Sequence, residues 1–250
     1  MIYDKPWSAS TLNMAAECRA AFVATKLLGI ADPPGPAMYR GIAFEDAAMA
    51  FLRNNDLPVE EMIQIAVAKY DAKTALTPGP AADAERAALA DMCRVAHEGL
   101  RGYPAPDEQK GGRQERINIT LEGVKRPIIG FLDATWSDHG LVVDFKSTKR
   151  APANNKISAA HARQGAIYAR AHPNWEMRFV YVTPKKIIQL TQHDVLGPLE
   201  QARRIAMSLE KFLAISNDPH ELASFVTPNT GSFYWRSEPM RRAAKEIWGF

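Results

Sequence analysis

Long apolar runs are missing from this chain, and no stretch approaches the 18 or more apolar residues that a membrane-spanning helix needs. The opening residues, MIYDKPWSAS, lack the basic-then-apolar order of a signal peptide, so no membrane association is expected and the chain reads as cytoplasmic. Cysteine is scarce. Cys18 and Cys93 are widely separated, which supports neither a disulfide framework nor a thiolate metal site; both are expected to be reduced and buried. A GxxxxGK[ST] phosphate loop is absent too, so nothing within the chain supports an ATP-driven motor. Net charge is nearly missing, at +3 from 31 basic and 28 acidic residues.

What is present is an ordinary globular composition, 46% hydrophobic and 24% charged over 250 residues, enough for one substantial core and no more than two domains. The charges are segregated. Residues 1–100 carry nine Lys/Arg against thirteen Asp/Glu, whereas Lys146 to Lys186 carry nine Lys/Arg against the single acid Glu176. A basic field beside an acidic centre suits the attraction of phosphates toward carboxylates that would otherwise repel them. A charged, solvated face is the other reading of the same residues.

The first hundred residues read as mainly helical. Ser8 or Ser10 caps a helix that Gly29 stops and that buries Leu12, Ala16, Ala20, Val23 and Leu27. Further helices are expected at about Ile42 to Arg53, at Val59 to Thr74, and through ADAERAALADMCRVAHEGLRG. The Gly- and Pro-containing GYPAPDEQKGG marks a junction. Period-two texture follows in ERINITLEG, PIIGFLDATWS and GLVVDFKST, read as successive strands. A helix in KISAAHARQGAIYARAH then returns the chain to a strand, MRFVYVTP, as in a mixed α/β core. Helices are expected from Asp194 to about Asn217 and in SEPMRRAAKEIWGF. The expected organisation is one domain over 1–250, with a helical part at 1–110, an α/β core at 111–190 and a helical end at 191–250.

Chemistry concentrates at Asp133, Asp144 and Lys146. Residues two apart on a strand face the same way, so Asp144 and Lys146 project together while Phe145 enters the buried side. The intervening turn can return Asp133 to Asp144. Two adjacent carboxylates repel unless a cation or proton lies between them, and hard oxygen ligands suit Mg²⁺ or Mn²⁺. Such a site performs metal-dependent phosphodiester hydrolysis, with Lys146 offsetting negative charge or positioning water. A turn flanked by exposed acids, and an edge-strand lysine, are the plainer readings of the same residues taken singly.

These motifs, in this order from Ser8 to Tyr168, resemble the PD-(D/E)XK nuclease superfamily, particularly its RecB-like branch and the phage alkaline exonucleases of the lambda exonuclease type. SASTLNMAAECRAAF looks like the family's opening serine-rich turn and helix, beside the DNA passage, which brings Ser8, Ser10 and Arg19 into the substrate set. RGIAFEDAAMAFL resembles the next helical motif; many relatives carry histidine four residues after the glycine, where this chain has Glu45 four after Gly41. Glu45 is therefore implied as a metal-proximal carboxylate, with Asp46 turned elsewhere and an exposed helix acid as the alternative. Glu115 looks like the acid preceding the catalytic hairpin, or a surface acid at a strand start. Asp133, Asp144 and Lys146 match the core acids and catalytic lysine, and Phe145 completes the implied metal set of Asp133, Asp144, Glu45 and Phe145.

Gln164 and Tyr168 match the family's Gln-X-X-X-Tyr motif on one helical face, with Gln164 orienting phosphate, water or the lysine. Tyr168 either contacts DNA or packs in the core. Lys149, Arg150, Lys156 and Arg163 are implied phosphate contacts, Ser147 and Thr148 either contact phosphate or shape the strand exit, and Trp136 either stacks on a base or packs. His161 is expected in a local hydrogen bond. Cys18 falls where some relatives place an iron-sulfur ligand, but no late cysteine trio completes a cluster, so none is expected. The implied fold is a restriction-endonuclease-like mixed sheet flanked by helices. The implied activity is Mg²⁺-dependent 5′-to-3′ digestion of linear double-stranded DNA, by a homo-oligomer such as a trimer, alongside a single-strand annealing recombinase, in a bacterial host's cytoplasm if phage-encoded. A single-strand or flap nuclease and a noncatalytic DNA-binding scaffold are the alternatives.

Overall fold

The alternating segments after Glu115 do form strands, and they divide between two sheets. The computed structural model describes residues 2–108 and 114–250, so part of the GYPAPDEQKGG junction lies outside the described residues. In the first sheet, β1 (Trp7–Ser8) runs parallel to β3 (Ile128–Leu132), which pairs antiparallel with β2 (Glu115–Ile119). In the second, the order is β4 (Ala134–Trp136), β5 (Leu141–Ser147), β6 (Glu176–Val182), β7 (Ile187–Thr191). Only its β5–β6 pair is parallel among these described strands, joined through helix α6 (Ala159–Ala171).

PIIGFLDATWS, expected as one strand, breaks at Asp133. The reason is local: Asp133 Oδ2 accepts the Phe145 N–H at 2.9 Å, so its side chain takes a ladder position that a continuing backbone would have used. β7 was not anticipated, because IIQLT lacks clean alternation and gains its partners only from β6.

The first helix also departs from expectation. α1 (Ala9–Glu17) is capped by Ser8, whose Oγ accepts from Thr11 N at 3.2 Å, but the helix breaks at Cys18 (φ −153°, ψ 100°). It resumes as α2 (Arg19–Phe22) and a widened π-turn at Val23–Leu27. The break leaves Ala16 exposed and Leu27 half-buried, where both were expected in the core. Cys18 is claimed by tertiary contacts: its Sγ accepts from Trp235 Nε1 at 3.3 Å. α3 (Pro36–Arg53) starts six residues before the expected Ile42, since Gly35-Pro36 supplies a start with proline in the first turn. α4 (Val59–Thr74) has the expected bounds, followed by α5 (Pro80–Gly99). The chain ends through α7 (Leu196–Leu213), α8 (Pro219–Ser224) and α9 (Glu238–Trp248); α8 was not expected. Among the described residues no helix is long and apolar enough to cross a membrane.

The alternation along β5 sorts the core. Val142 joins Ile167 and Phe179 on the α6 face, while Val143 and Phe145 join Phe44 and Val180 on the α3 face. Phe44 and Phe179 are fully buried, each contributing roughly 2 kcal/mol through area removed from water. A third cluster packs Cys18 and Ala20 against Trp235 and Met240, fastening the chain's end to α2. Asp144 shares the α6 face of β5, where its Oδ1 meets Gln164.

Candidate active site

Strand period two carries Asp144 and Lys146 to the same side of β5, toward α6. Asp144 is 1% exposed; its Oδ1 accepts from Gln164 Nε2 at 2.9 Å, and its Oδ2 lies 2.5 Å from Lys146 Nζ. That contact is a close ion pair, yet Oδ2 has no well-aligned donor. Gln164 Nε2 also reaches the Tyr168 hydroxyl at 2.8 Å, so one helical turn of α6 holds both residues of the motif. Asp133 sits at the gap between β3 and β4, fixed by the Phe145 N–H. Glu45, half-buried on α3, joins them through Gln114: the Gln114 amide donates to Glu45 Oε1 and, at 2.9 Å, to Asp133 Oδ1.

Burial of like charges sets the electrostatics. Burial first, then the Asp144 and Glu45 charges, hold Asp133 well above the usual carboxylate range. Burial also raises Asp144, against the opposing pull of Lys146. Glu45 is lifted from 4.5 to about 6, chiefly by burial, with Gln114 opposing and Asp144 and Asp46 reinforcing. Burial alone would lower Lys146, but Asp144, Asp133 and Glu45 together outweigh it, so the ammonium keeps its proton. Lys146 is therefore a cation at this site. His161, whose Nδ1 lies 2.8 Å from the Tyr181 hydroxyl, is pushed down to about 4 by burial and by Lys146, leaving a neutral imidazole near pH 7. This is the local hydrogen bond expected for it.

A family model for the PD-(D/E)XK nuclease superfamily matches residues 6–217, a span that includes every one of these side chains. The chain belongs to the PD-(D/E)XK nuclease superfamily. Its mixed sheets flanked by helices are consistent with the restriction-endonuclease-like fold of that superfamily. Among curated proteins none matches significantly. A solved structure titled "Crystal structure of SSO0001" is similar at 16% identity and a TM-score of 0.34, over 68% of this chain and 85% of that one.

Within this superfamily member, the residues that could hold a hard divalent cation are Asp133, Asp144 and Glu45. The Phe145 ring faces the core, but a strand residue's N–H and C=O leave the same edge, so its carbonyl faces Asp133 as its N–H does. Among the described residues no three His, Cys, Asp or Glu side chains converge as a ready-made metal cage. The Gln114 amide lies between two of the acids, and Lys146 lies on the third. The donor set nevertheless fits a hard cation: it is all oxygen, it is uncompensated enough to raise three carboxylates, and it includes a buried Asp144 oxygen without an aligned donor.

Beside Lys146 opens a cleft of about 1010 Å³. Ser147, Thr148, Arg150 and Lys156 line it, and none of the described side chains lining it is acidic. Its rim loop turns through Asn154 and Asn155 at φ 54° and 50°, a left-handed conformation that asparagine tolerates. The amino end of α6, capped by Ser158, borders the cleft and adds to its attraction for anions.

Other sequence candidates lie elsewhere or are occupied. Trp136 is 2% exposed and donates to the Pro104 carbonyl at 2.9 Å, so it packs and does not stack on a base. Tyr168 is buried with its ring against Gly130, and its hydroxyl meets Gln164 Nε2. Arg19 donates to Ser208 Oγ at 2.8 Å and covers Phe212, which ties it to α7 rather than to substrate. Arg163 bonds Asn13 Oδ1 at 2.7 Å, joining α6 to α1. Lys149 pairs with Glu85 at 2.8 Å, and Ser8 is engaged in capping while Ser10 bonds Ser8. Glu115 is not brought to the acids; it meets His172 Nε2 at 3.2 Å.

Gln114, its neighbour, was missed. The pairing Glu115↔Leu132 puts residue 114 across from Asp133, and only that register, not the sequence, reveals it. Arg40 was missed as well. It is buried on α3, pairs with Glu85 and donates to the Ser147 carbonyl at 3.0 Å, fixing the exit of β5; a basic residue in an apolar helix was the available signal.

Proposed function

We propose that the chain is a metal-dependent DNA exonuclease that shortens linear duplex DNA from its ends and leaves single-stranded tails. One observation carries the reading: the buried Asp133–Asp144–Lys146 group meets the surface at Lys146, on a basic cleft with no acidic lining among the described residues. The cleft's volume of about 1010 Å³ is at the upper end of what encloses a small ligand, space on the scale of a nucleotide or two. Base pairs at ends open far more readily than those inside a duplex, which favours attack from ends.

Mg²⁺, with Mn²⁺ substituting, would be held by Asp133, Asp144, Glu45 and the Phe145 carbonyl, where it supplies Lewis-acid polarisation of phosphate and acidification of water. The chain's own groups do the rest. Lys146 presents its ammonium to the phosphate and offsets the negative charge that builds on it. Gln164 keeps Asp144 aimed across the strand, and the Phe145 N–H keeps Asp133 opposite it. Arg150 and Lys156 hold the neighbouring backbone without reading sequence. Digestion from 5′ to 3′, a homotrimeric ring and cooperation with a single-strand annealing protein extend this reading through the phage-exonuclease resemblance. A single-strand or flap nuclease is the second reading, favoured by the same basic cleft.

Doubly end-labelled linear duplex, covalently closed duplex and circular single-stranded DNA, each incubated with Mg²⁺ and resolved by product length, test this. The expected result is digestion of the linear duplex alone, lost in Asp133→Ala. Cleavage of circular single strands would move the function to the second reading. Binding with no cleavage of any substrate would make the chain a scaffold.

A further inference from the structure

Phe233 is 65% exposed, and it lines the same cleft as Lys146 and Ser147. It lies beyond residues 6–217, outside the span the superfamily model matches. An exposed phenyl ring on a flexible tail would mean little, but this one is held. Two residues on, Trp235 is 2% exposed, donates to Cys18 Sγ at 3.3 Å and meets Trp248 edge-on at 5.7 Å. Met240 is fully buried just after it. The single turn Phe233–Trp235 therefore plants one aromatic in the core and presents the other at the cleft mouth. The Arg236 guanidinium lies 5.4 Å over the Phe233 ring, and Tyr234 meets that ring edge-on at 5.8 Å, which orients it further.

A ring held beside a phosphate-binding cation has one obvious counterpart in a nucleic acid, the flat face of a base. Inside a duplex both faces of each base are already covered by stacking. An unpaired base offers both faces to a protein ring, and an intact terminal pair only its outer one. Lys146, Arg150 and Lys156 line the cleft, cations suited to following a phosphate backbone. We propose that Phe233 is the stacking platform for an unpaired base next to the phosphate that Lys146 faces, and that it makes the enzyme select strands with an unpaired end. Stacking tolerates every base, so the selection acts on strandedness and not on sequence.

The proposal rests on the nuclease reading, and the test separates the two. Oligonucleotides carrying 2-aminopurine in a short single-stranded tail are titrated with the full-length chain in the Asp133→Ala background, with blunt duplex alongside. Base stacking quenches the fluorophore. Phe233→Ala is expected to lose the quench and to weaken tailed-DNA binding about tenfold, with blunt-duplex affinity nearly unchanged. Phe233→Trp should keep both quench and affinity. Equal quench and equal affinity in Phe233→Ala would overturn the stacking role, even if the parent chain cuts DNA. A Phe233-dependent quench in a parent that cuts nothing would retain the stacking role and remove the nuclease reading.

Discussion

At the scale of single residues, the site is held against its own electrostatics. Three carboxylates are raised, and Glu45 is the one with a defined position, lifted from 4.5 to about 6. Between those values the folded chain keeps a proton that the unfolded chain has already released. Folding stability without metal is therefore highest below about pH 4 as far as this group is concerned; it falls as pH rises and has lost its full share above about pH 6. That share is about 2 kcal/mol for Glu45, and Asp133 and Asp144 act in the same direction. A divalent cation binds only the deprotonated forms, so it should reverse the decline. Urea unfolding of metal-free chain across pH 4–8 should show the fall, Glu45→Gln should remove about 2 kcal/mol of it, and Mg²⁺ should restore stability most at high pH. A profile indifferent both to Glu45→Gln and to Mg²⁺ would mean that these acids do not share a metal site.

At the scale of elements, the site depends on how closely α6 lies on β6. Gly165 is the reason it can. A methyl group there would stand 2.9 Å from Phe179 Cε2 and 3.0 Å from Cζ, and Phe179 is fully buried with nowhere to yield. The Gln192 Oε1 is nearer still, and that amide is held by hydrogen bonds from its Nε2 to the Ala162 and Asp194 carbonyls. Gly165→Ala should therefore push α6 outward, costing about 1–3 kcal/mol and drawing Gln164 off Asp144. Unfolding midpoints and kcat, measured on the same protein well below its melting temperature, should both drop; a destabilised variant with full kcat would show that Gln164 does not need its place. Such dependence explains what the sequence made legible. The motifs on regular elements, VVDFK on a strand and RQGAIYA on a helix, follow from period alone, and their side chains meet as strand and helix geometry dictate. The break at Cys18 and the split at Asp133 do not follow from period. Each arises where a side chain bonds outside its own element, to Trp235 far along the chain in one case and to Phe145 on β5 in the other.

At the scale of the whole molecule, the basic field written between Lys146 and Lys186 is thinned by folding. Lys149 spends its charge on Glu85, Arg163 turns to Asn13, and Arg178 pairs with Glu176 at 2.7 Å. Sequence counts could not show the first two, whose partners come from other elements, whereas Glu176 stands two residues from Arg178 on the same strand. Arg150 and Lys156 remain on the cleft beside Lys146. If these two carry the backbone of one DNA strand, binding should weaken linearly with the logarithm of salt concentration, and each cation should account for about 0.7 of the slope on single strands. Titrations of a tailed oligonucleotide at several salt concentrations should then give a slope shallower by about 0.7 for Arg150→Ala, by the same for Lys156→Ala, and by about twice that for the pair. Arg19→Ala, which removes a charge tied to Ser208, should leave the slope as it was. Equal slopes for all the variants would place the DNA on another face and detach the cleft from the acids behind it.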